Sequence, residues 1–271
     1  MRVLVVGQGP VARVLATSLT RPVGLAVRER TADSLLVETR RRRTARRTVD
    51  LVTTGEGWDV AISTASPTSP GVAELLAPAA VVAAVTQVPS EVELLRELAG
   101  DRPWGLVVPG FFAGGADPTW LWPRARFTVA GPASALLGSL FARPRTAPLA
   151  APLLSAAATM PVVAGLHAAD FDLAAARRSA RRLAAAATQA RNAVAAEFDS
   201  PVPRPVRPQA VRTALAVLPR LAPFDVPQYL RSHFGGHGEQ TLRMLQDWIA
   251  LGRRHGLPTG ELEELLERVP A

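Results

Sequence analysis

A glycine-rich turn near the N-terminus has residue types whose spacing could do chemistry. The apolar run RVLVVG leads without a spacer into the six residues of this turn, Gly7, Gln8, Gly9, Pro10, Val11 and Ala12. In a G-x-G-x-x-A turn between a strand and a helix, the first glycine permits the tight turn and the second lets the backbone approach phosphates, while the third small residue allows close packing. Backbone amides at the start of the helix then face the anion. We predict that these residues bind a dinucleotide; the alternative is a turn kept only for packing.

The end of the second apolar run distinguishes between the two common dinucleotides. In NAD-dependent enzymes an acidic residue at this place accepts hydrogen bonds from the ribose hydroxyls. The segment LAVRER instead places Arg28 at the predicted strand end, and a guanidinium there suits the 2′-phosphate of NADP. We therefore predict NADP(H), bound as NADPH. The neighbouring Glu29 keeps NAD open, and a pair of surface arginines with no nucleotide is the remaining alternative.

Alternating short apolar runs and helical stretches must position these residues. Strands that are apolar on both faces and separated by helices indicate a parallel sheet covered on both sides. The predicted strands are RVLVVG, VGLAVRER, TVDLVTT, WDVAIST, AVVAAVTQV, WGLVVPG and RFTVAG, and the helices between them include Pro10–Leu19 and Val72–Leu76. The pattern predicts an α/β domain of the Rossmann type, with a doubly wound sheet, in residues 1–143.

The composition changes at ARPRTAPLAAP, which carries three prolines and reads as a junction. Beyond it, Ala- and Leu-rich helical patterns dominate. We predict one long helix over FDLAAARRSARRLAAAATQARNAVAAEF and two further helices over GHGEQTLRMLQDWIALGRRH and GELEELLERV. Residues 150–271 are therefore expected to form an all-helical domain for substrate binding or dimerisation.

The composition is that of an ordinary globular protein, with 48% hydrophobic and 20% charged residues among 271. Cysteine is absent, which excludes disulfides and thiolate chemistry and suits a cytoplasmic protein. The first apolar run ends at Gly7, too early for a signal peptide, and no later run reaches membrane-spanning length without Pro, Gly or charge. We expect a soluble, cytoplasmic protein that does not bind a membrane.

All 31 basic residues are arginine, and the formal net charge is +8. The densest basic stretch, TRRRRTARRTVDLV, could neutralise the phosphates of a nucleic acid. However, no aromatic residues interleave with it and no recognition module surrounds it. We favour a solvated loop, or a face near an anionic cofactor, and expect no nucleic-acid partner.

With VLVVGQGPVA, the VGLAVR strand, DVAISTAS and the C-terminal LGRRHGLPTGELEELL, the chain resembles the ketopantoate reductases over most of its length. The resemblance implies a Rossmann-type domain, a helical second domain and NADPH in the cleft between them. It also implies reduction of a 2-oxo acid to a 2-hydroxy acid, a small-molecule substrate and a homodimer formed through the helical domain.

The chain departs from this family at the residues that transfer protons. The family uses a lysine early in the helical domain, whereas this sequence has no lysine at all, and arginine cannot donate a proton in its place. A second family lysine, after the strand DVAISTA, corresponds to Ser66, which we assign to the cofactor site. The resemblance places the family's acidic substrate contact at Glu239 and its substrate-binding serine at Ser232.

Histidine is the remaining side chain able to donate a proton near neutral pH. Of the four histidines, His237 in SHFGGHGEQ lies beside Ser232 and Glu239. We predict His237, Glu239 and Ser232 as the catalytic set, with a helix-capping role as the alternative for His237 and Tyr229 or water as alternative donors. The spacing matches no metal motif, so no metal is expected.

The aromatic segment PGFFAGGADPTWLWP could line an apolar substrate pocket or lid, or pack between the domains. If it lines the pocket, the substrate is bulkier than ketopantoate. The favoured function is an NADPH-dependent reductase of a carbonyl or imine. The alternative is a non-redox tailoring enzyme such as a cyclase or isomerase, or a ligand-binding protein, in secondary metabolism. A regulatory protein that senses the redox cofactor is a third.

Overall fold

A computed structural model of the chain describes residues 1–26, 34–39, 44–115, 118–234 and 238–270. They form two compact units, Met1–Leu149 and Ala150–Ala271. The first unit contains, in chain order, β1 (Val3–Val6), α1 (Pro10–Ser18), β2 (Val23–Ala26), β3 (Ser34–Thr39), β4 (Thr44–Thr48), β5 (Asp50–Val52), β6 (Val60–Ser63), α2 (Val72–Leu76), β7 (Val81–Ala84), α3 (Pro89–Ala99), β8 (Trp104–Pro109), β9 (Phe112–Gly114), β10 (Thr119–Trp122), β11 (Phe127–Ala130), α4 (Ser134–Gly138) and β12 (Arg145–Ala147). The second unit contains α5 (Ala150–Ala168), α6 (Leu173–Arg178), α7 (Ala180–Glu197), α8 (Pro208–Leu221), α9 (Val226–Phe234), α10 (Gly238–Arg254) and α11 (Gly260–Leu266).

The main sheet has the strand order β12-β11-β8-β7-β6-β1-β2-β5. The pairings from β5 to β8 are parallel, and β11 joins β8 in the antiparallel direction. Every residue of β1, β2, β6 and β7 is buried, as expected for strands covered on both faces. The order β5-β2-β1-β6-β7-β8 is that of a doubly wound nucleotide-binding sheet, which reverses direction between β1 and β6. This confirms the predicted Rossmann-type fold, and each of the seven predicted apolar runs contains one of its strands.

A second sheet, with the order β4-β3-β10-β9, was not predicted from the sequence. It packs on α1, which also contacts β1 and β2 of the main sheet. The aromatic segment forms its β9–β10 hairpin, in which Trp122 pairs with Phe112 and the two rings stack with centroids 6.0 Å apart. A role of this hairpin in substrate binding stays a prediction.

Part of the basic stretch is a strand rather than a solvated loop, since Thr44–Thr48 forms β4. The guanidinium of Arg47 donates hydrogen bonds to the backbone carbonyls of Leu19 and Arg21, just beyond α1. Burial lowers the pKa of Arg47 from its ordinary value. Pairing with β3 and the hydrogen bonds of Arg47 explain why this segment forms a strand. Residues 40–43 lie outside the described residues.

The second unit is all helical in its described residues, as predicted, and α7 contacts α5, α8, α10 and α11. Gly165 allows α5 and α7 to approach closely because it has no side chain. A Cβ at this position would lie only 2.2 Å from Cδ2 of Leu183 on α7. The single long helix predicted here is wrong. It is divided at Ser179, where the backbone ψ of 4° leaves the helical range, and α6 begins only after Asp172, whose carboxylate accepts the amide of Ala174 at 2.7 Å.

Helix α5 is long and apolar enough, by length and composition, to cross a membrane. Half of its apolar window is buried inside the protein, and it packs along α7. It also contains Pro161, which interrupts the helical hydrogen bonding. This burial is typical of the core helix of a globular unit.

Candidate functional site

A crevice of about 760 Å³ opens in the first unit at the carboxyl ends of β1, β2 and β5. Gly7 and Gln8 form one wall, Ala26 lies at the end of β2, and the loop after β5 and the start of α2 complete the lining. This is the edge at which doubly wound sheets bind nucleotides, where strand order reverses. The fold therefore brings the glycine-rich turn to the expected binding edge.

The first glycine of the turn is required by its backbone and by its neighbours. Gly7 has a φ of +131°, which residues with a Cβ rarely adopt. A Cβ at this position would lie 2.2 Å from Oγ1 of Thr64. That threonine is itself fixed, since its backbone amide and its hydroxyl both donate to the carbonyl of Val6, at 2.8 and 3.1 Å. The turn is thus locked between the ends of β1 and β6.

The second glycine faces open space. Gly9 is the N-cap of α1 with an ordinary φ of −68°, and no described atom lies within 4 Å of the position its Cβ would take. The first amides of a helix have no partner within the helix and can bind an anion. Pro10 occupies the first helical position, where its missing amide costs nothing, and Ala12 is fully buried against the sheet. These residues fit a dinucleotide pyrophosphate.

The residues predicted to select the dinucleotide cannot be compared with the structure. Arg28 and Glu29 lie outside the described residues, two and three positions after Ala26, which lines the crevice. The assignment of Arg28 to the 2′-phosphate of NADP therefore stays a prediction.

Ser66 belongs to a hydrogen-bonded cluster around a buried carboxylate. Its hydroxyl donates to Oε1 of Glu91 at 2.6 Å, and the hydroxyl of Thr86 donates to Oε2 at 2.5 Å. Glu91 is only 1% exposed. Ser66 follows β6 and Thr86 follows β7, so Glu91 connects the carboxyl ends of two neighbouring strands. The role of Ser66 in cofactor binding stays a prediction.

The predicted catalytic set is spread over the start of α10 and the helix before it. Glu239 is exposed in the first turn of α10. Ser232 is exposed on α9, and its hydroxyl donates to the carbonyl of Tyr229 on the same helix at 3.0 Å. His237 lies outside the described residues. Their joint action stays a prediction.

Two other histidines lie in the second unit. His167 has a buried Nδ1 with no hydrogen-bond partner among the described atoms, and its ring stacks on Phe171, with the ring centroids 5.3 Å apart. Its Cε1 lies 3.5 Å from the Cβ position of Gly238, beside the start of α10. His255 follows α10, and its Nε2 lies 2.8 Å from Oε2 of Glu197 at the end of α7.

Glu91 and Thr64 are the residues that sequence reasoning missed. Hydroxyl side chains near the carboxyl ends of two predicted strands, Thr64 in WDVAIST and Thr86 in AVVAAVTQV, were a usable signal, because the carboxyl ends of parallel strands meet at one edge. Among the described residues, no group of three His, Asp or Glu side chains could hold a metal ion.

No protein-family model and no curated protein matches the chain. Solved structures do match over its whole length. A 2-dehydropantoate 2-reductase from Geobacter metallireducens has a TM-score of 0.73 at 15% identity and covers 99% of both chains. A D-mandelate dehydrogenase in complex with NADH has a TM-score of 0.71 at 12% identity, covering 99% of this chain and 97% of that one.

A dimeric ketopantoate reductase from Staphylococcus aureus has a TM-score of 0.67 at 13% identity, again covering 99% of this chain and 97% of that one. At these identities the likeness shows the fold. The expected resemblance is confirmed at that level: the chain has the two-domain fold of the ketopantoate reductases.

Proposed function

We propose that the chain is a reductase that uses NADPH to reduce a carbonyl group, on a 2-oxo acid or on a bulkier apolar substrate. The observation that carries this proposal is the crevice at the reversal point of the sheet, with a glycine-rich turn that leaves open space at Gly9. The fold neighbours support it, since their names describe a reductase of a 2-oxo acid and a dehydrogenase holding NADH.

The glycine-rich turn holds the pyrophosphate, and Arg28 pairs with the 2′-phosphate. A bound NADPH supplies the hydride for the carbonyl carbon. The locked backbone at Gly7 keeps the turn in place before the nucleotide arrives. Because one neighbour is described with NADH, NADH is the necessary comparator in every binding measurement.

Reduction of a carbonyl also requires a proton for the substrate oxygen. The first helix of the second unit, α5, carries no lysine, and its only ionisable side chain is His167. We assign the proton to His237, with Ser232 and Glu239 as the groups that bind the substrate. Their position at and just before the start of α10 supports this assignment.

The absence of lysine from the whole sequence favours one second candidate function. The same fold could perform a non-redox tailoring step, such as a cyclisation or isomerisation, or bind a ligand. In either case we propose a cytoplasmic protein of secondary metabolism that forms a homodimer, as the dimeric neighbour does. Release of product without consumption of NADPH separates this candidate from the first.

The test of the proposed function is equilibrium binding of NADPH, with NADH as the comparator, followed by assays of NADPH consumption with 2-oxo acids. Gly9→Ala places a methyl group in the open space where the pyrophosphate is expected. We expect it to weaken NADPH binding by roughly tenfold or more, since a lost charge-assisted hydrogen bond is worth about 1.5–3 kcal/mol.

Gly260→Ala is the matched control, because Gly260 also opens α11 with no described atom within 4 Å of its Cβ position. It should leave the binding of NADPH unchanged. A wild-type protein that binds neither nucleotide would overturn the proposal, and so would a Gly9→Ala variant that binds NADPH as the wild type does.

A further inference from the structure

Glu91 is a buried carboxylate to which the proposed chemistry assigns no role. It is the third residue of α3, an eleven-residue helix, and only 1% of its surface is exposed. Both of its oxygens accept hydrogen bonds from hydroxyl groups, Oε1 from Ser66 at 2.6 Å and Oε2 from Thr86 at 2.5 Å.

Backbone amides set the direction of these two hydrogen bonds. The amide of Val88 donates to Oγ1 of Thr86 at 3.1 Å, and the amide of Thr68 donates to Oγ of Ser66 at 3.2 Å. With amide hydrogens on the hydroxyl oxygens, the hydroxyl hydrogens are available for the carboxylate, which suits an ionised acceptor. The positive end of α3 also favours a negative charge in its first turn. Glu91 therefore holds a fixed negative charge inside the first unit.

The position of this charge follows from the sheet order. Ser66 follows β6 and Thr86 follows β7, on the opposite side of β1 from β2. Ser66 also lies in the loop between Ala65 and Pro70, both of which line the crevice. A dinucleotide spans the reversal point, with the adenosine ribose at the second strand and its other nucleotide over the far half of the sheet. In this sheet the far half includes β6 and β7, and Glu91 is hydrogen-bonded to the residues Ser66 and Thr86 that follow these two strands.

We propose that the buried charge of Glu91 sets the balance between the oxidised and the reduced cofactor in this crevice. The inference rests on the proposed function, since it requires a nicotinamide dinucleotide. The oxidised nicotinamide ring carries a positive charge and the reduced ring carries none. A nearby carboxylate in a water-poor environment attracts only the charged form. Glu91 therefore tightens binding of NADP⁺ relative to NADPH and favours release of the hydride.

The experiment measures the dissociation constants of NADP⁺ and NADPH for the wild type and for Glu91→Gln. The substitution keeps the size and hydrogen-bonding capacity of the side chain and removes its charge. We expect the ratio Kd(NADP⁺)/Kd(NADPH) to rise about fivefold, which corresponds to about 1 kcal/mol. The measurement needs no substrate and no turnover.

Glu93→Gln is the matched control. It removes the same charge from the same helix two residues away, where Glu93 is exposed and pairs with Arg96 at 3.5 Å. The ratio should stay at the wild-type value, because solvent screens exposed charges. Ser66→Ala provides a second control, since it removes one hydrogen bond to Glu91 but keeps the negative charge. Any fall in affinity should be the same for NADP⁺ and NADPH, so the ratio of their dissociation constants should stay at the wild-type value.

Each outcome separates this inference from the proposed function. A wild type that binds no dinucleotide overturns the proposed function. A wild type that binds both forms, with the ratio unchanged in Glu91→Gln or shifted equally in Glu93→Gln, overturns the inference alone. If Glu91→Gln does not fold, the ratio of dissociation constants in the wild type tests the inference. Binding of NADPH more than about tenfold tighter than NADP⁺ would contradict a carboxylate that favours the oxidised cofactor.

Discussion

Replacing Gly7 by alanine should destabilise the glycine-rich turn and with it the first unit. The φ of +131° at this position is strained for any residue with a Cβ. The added Cβ would also lie 2.2 Å from Oγ1 of Thr64, well inside van der Waals contact. Thr64 cannot move away without loss, because its hydroxyl donates to the carbonyl of Val6.

The two costs add to a large fraction of the stability of a domain. A residue held in an unfavourable φ region costs about 1–3 kcal/mol, and overpacking a filled site costs about another 1–3 kcal/mol. We expect Gly7→Ala to lower the free energy of unfolding by about 2–6 kcal/mol, which for a domain of this size lowers the Tm by roughly 5–20 °C.

Thermal unfolding followed by circular dichroism measures this effect, and Thr64→Ala separates its two parts. The double variant Gly7→Ala/Thr64→Ala lacks the atom that the new Cβ meets, so it should recover the steric part and keep the backbone part. Gly9→Ala is the control within the same turn: its Cβ enters open space, and because alanine is only a somewhat poorer N-cap than glycine, its Tm should fall far less than that of Gly7→Ala.

A Gly7→Ala protein that melts within about 1 °C of the wild type would refute this reasoning, since even the smaller of the two costs should shift the Tm by more. A double variant with the same Tm as Gly7→Ala would show that the contact with Thr64 contributes nothing.

Arg28→Ala should weaken NADPH binding about 10- to 100-fold, by loss of about 1.5–3 kcal/mol of charge-assisted hydrogen bonding, and leave NADH binding unchanged in the same titrations. Arg102→Met should lower the free energy of unfolding by about 2–4 kcal/mol in urea denaturation, because its guanidinium donates to five backbone carbonyls at the ends of α2 and α3. Hydrogen bonds from Thr259 and Arg253 lower the pKa of Glu263, so Thr259→Val should move that pKa up towards its ordinary value in an NMR titration. Since the folded-state pKa is the lower one, this contribution to stability is present above the unfolded-state pKa and is lost as the pH falls through the folded-state pKa.

Each of these predictions has a result that contradicts it. Equal losses of NADPH and NADH binding in Arg28→Ala would show that Arg28 does not bind the 2′-phosphate, which NADH lacks. Arg96→Met changes an exposed arginine of α3 whose one ion pair among the described residues is with Glu93, and a loss as large as that of Arg102→Met would exclude a specific role for the carbonyl contacts. A Glu263 pKa that is unchanged by Thr259→Val would show that this hydroxyl bond does not hold the carboxylate.

The main sheet of the first unit was predictable because its central strands are apolar on both faces. The helix Val72–Leu76 was predicted with its observed bounds, and the helix beginning at Pro10 ends one residue earlier than expected. The second sheet was not predictable in the same way. Its strand Thr44–Thr48 reads TARRT, and β10 pairs with a partner about eighty residues earlier in the chain, so its formation depends on tertiary contacts.

The glycine-rich turn was predictable because its requirements are local: a tight turn, a close approach and a small packing residue. Glu91 was not, because its burial depends on Ser66, which is 25 residues away in the sequence. A single glutamate in a sequence normally indicates a solvated face. Only the meeting of two strand ends brings Ser66 and Thr86 to Glu91 and buries its carboxylate.

The placement of α1 between the two sheets has a consequence for the kinetics of association. A helix held by contacts with two sheets has little freedom to lose if its first amides bind a phosphate, so this end of the helix is preorganised for the proposed nucleotide. Nucleotide capture at this end of the crevice should therefore proceed in a single step whose rate is proportional to ligand concentration, with no slow closing phase.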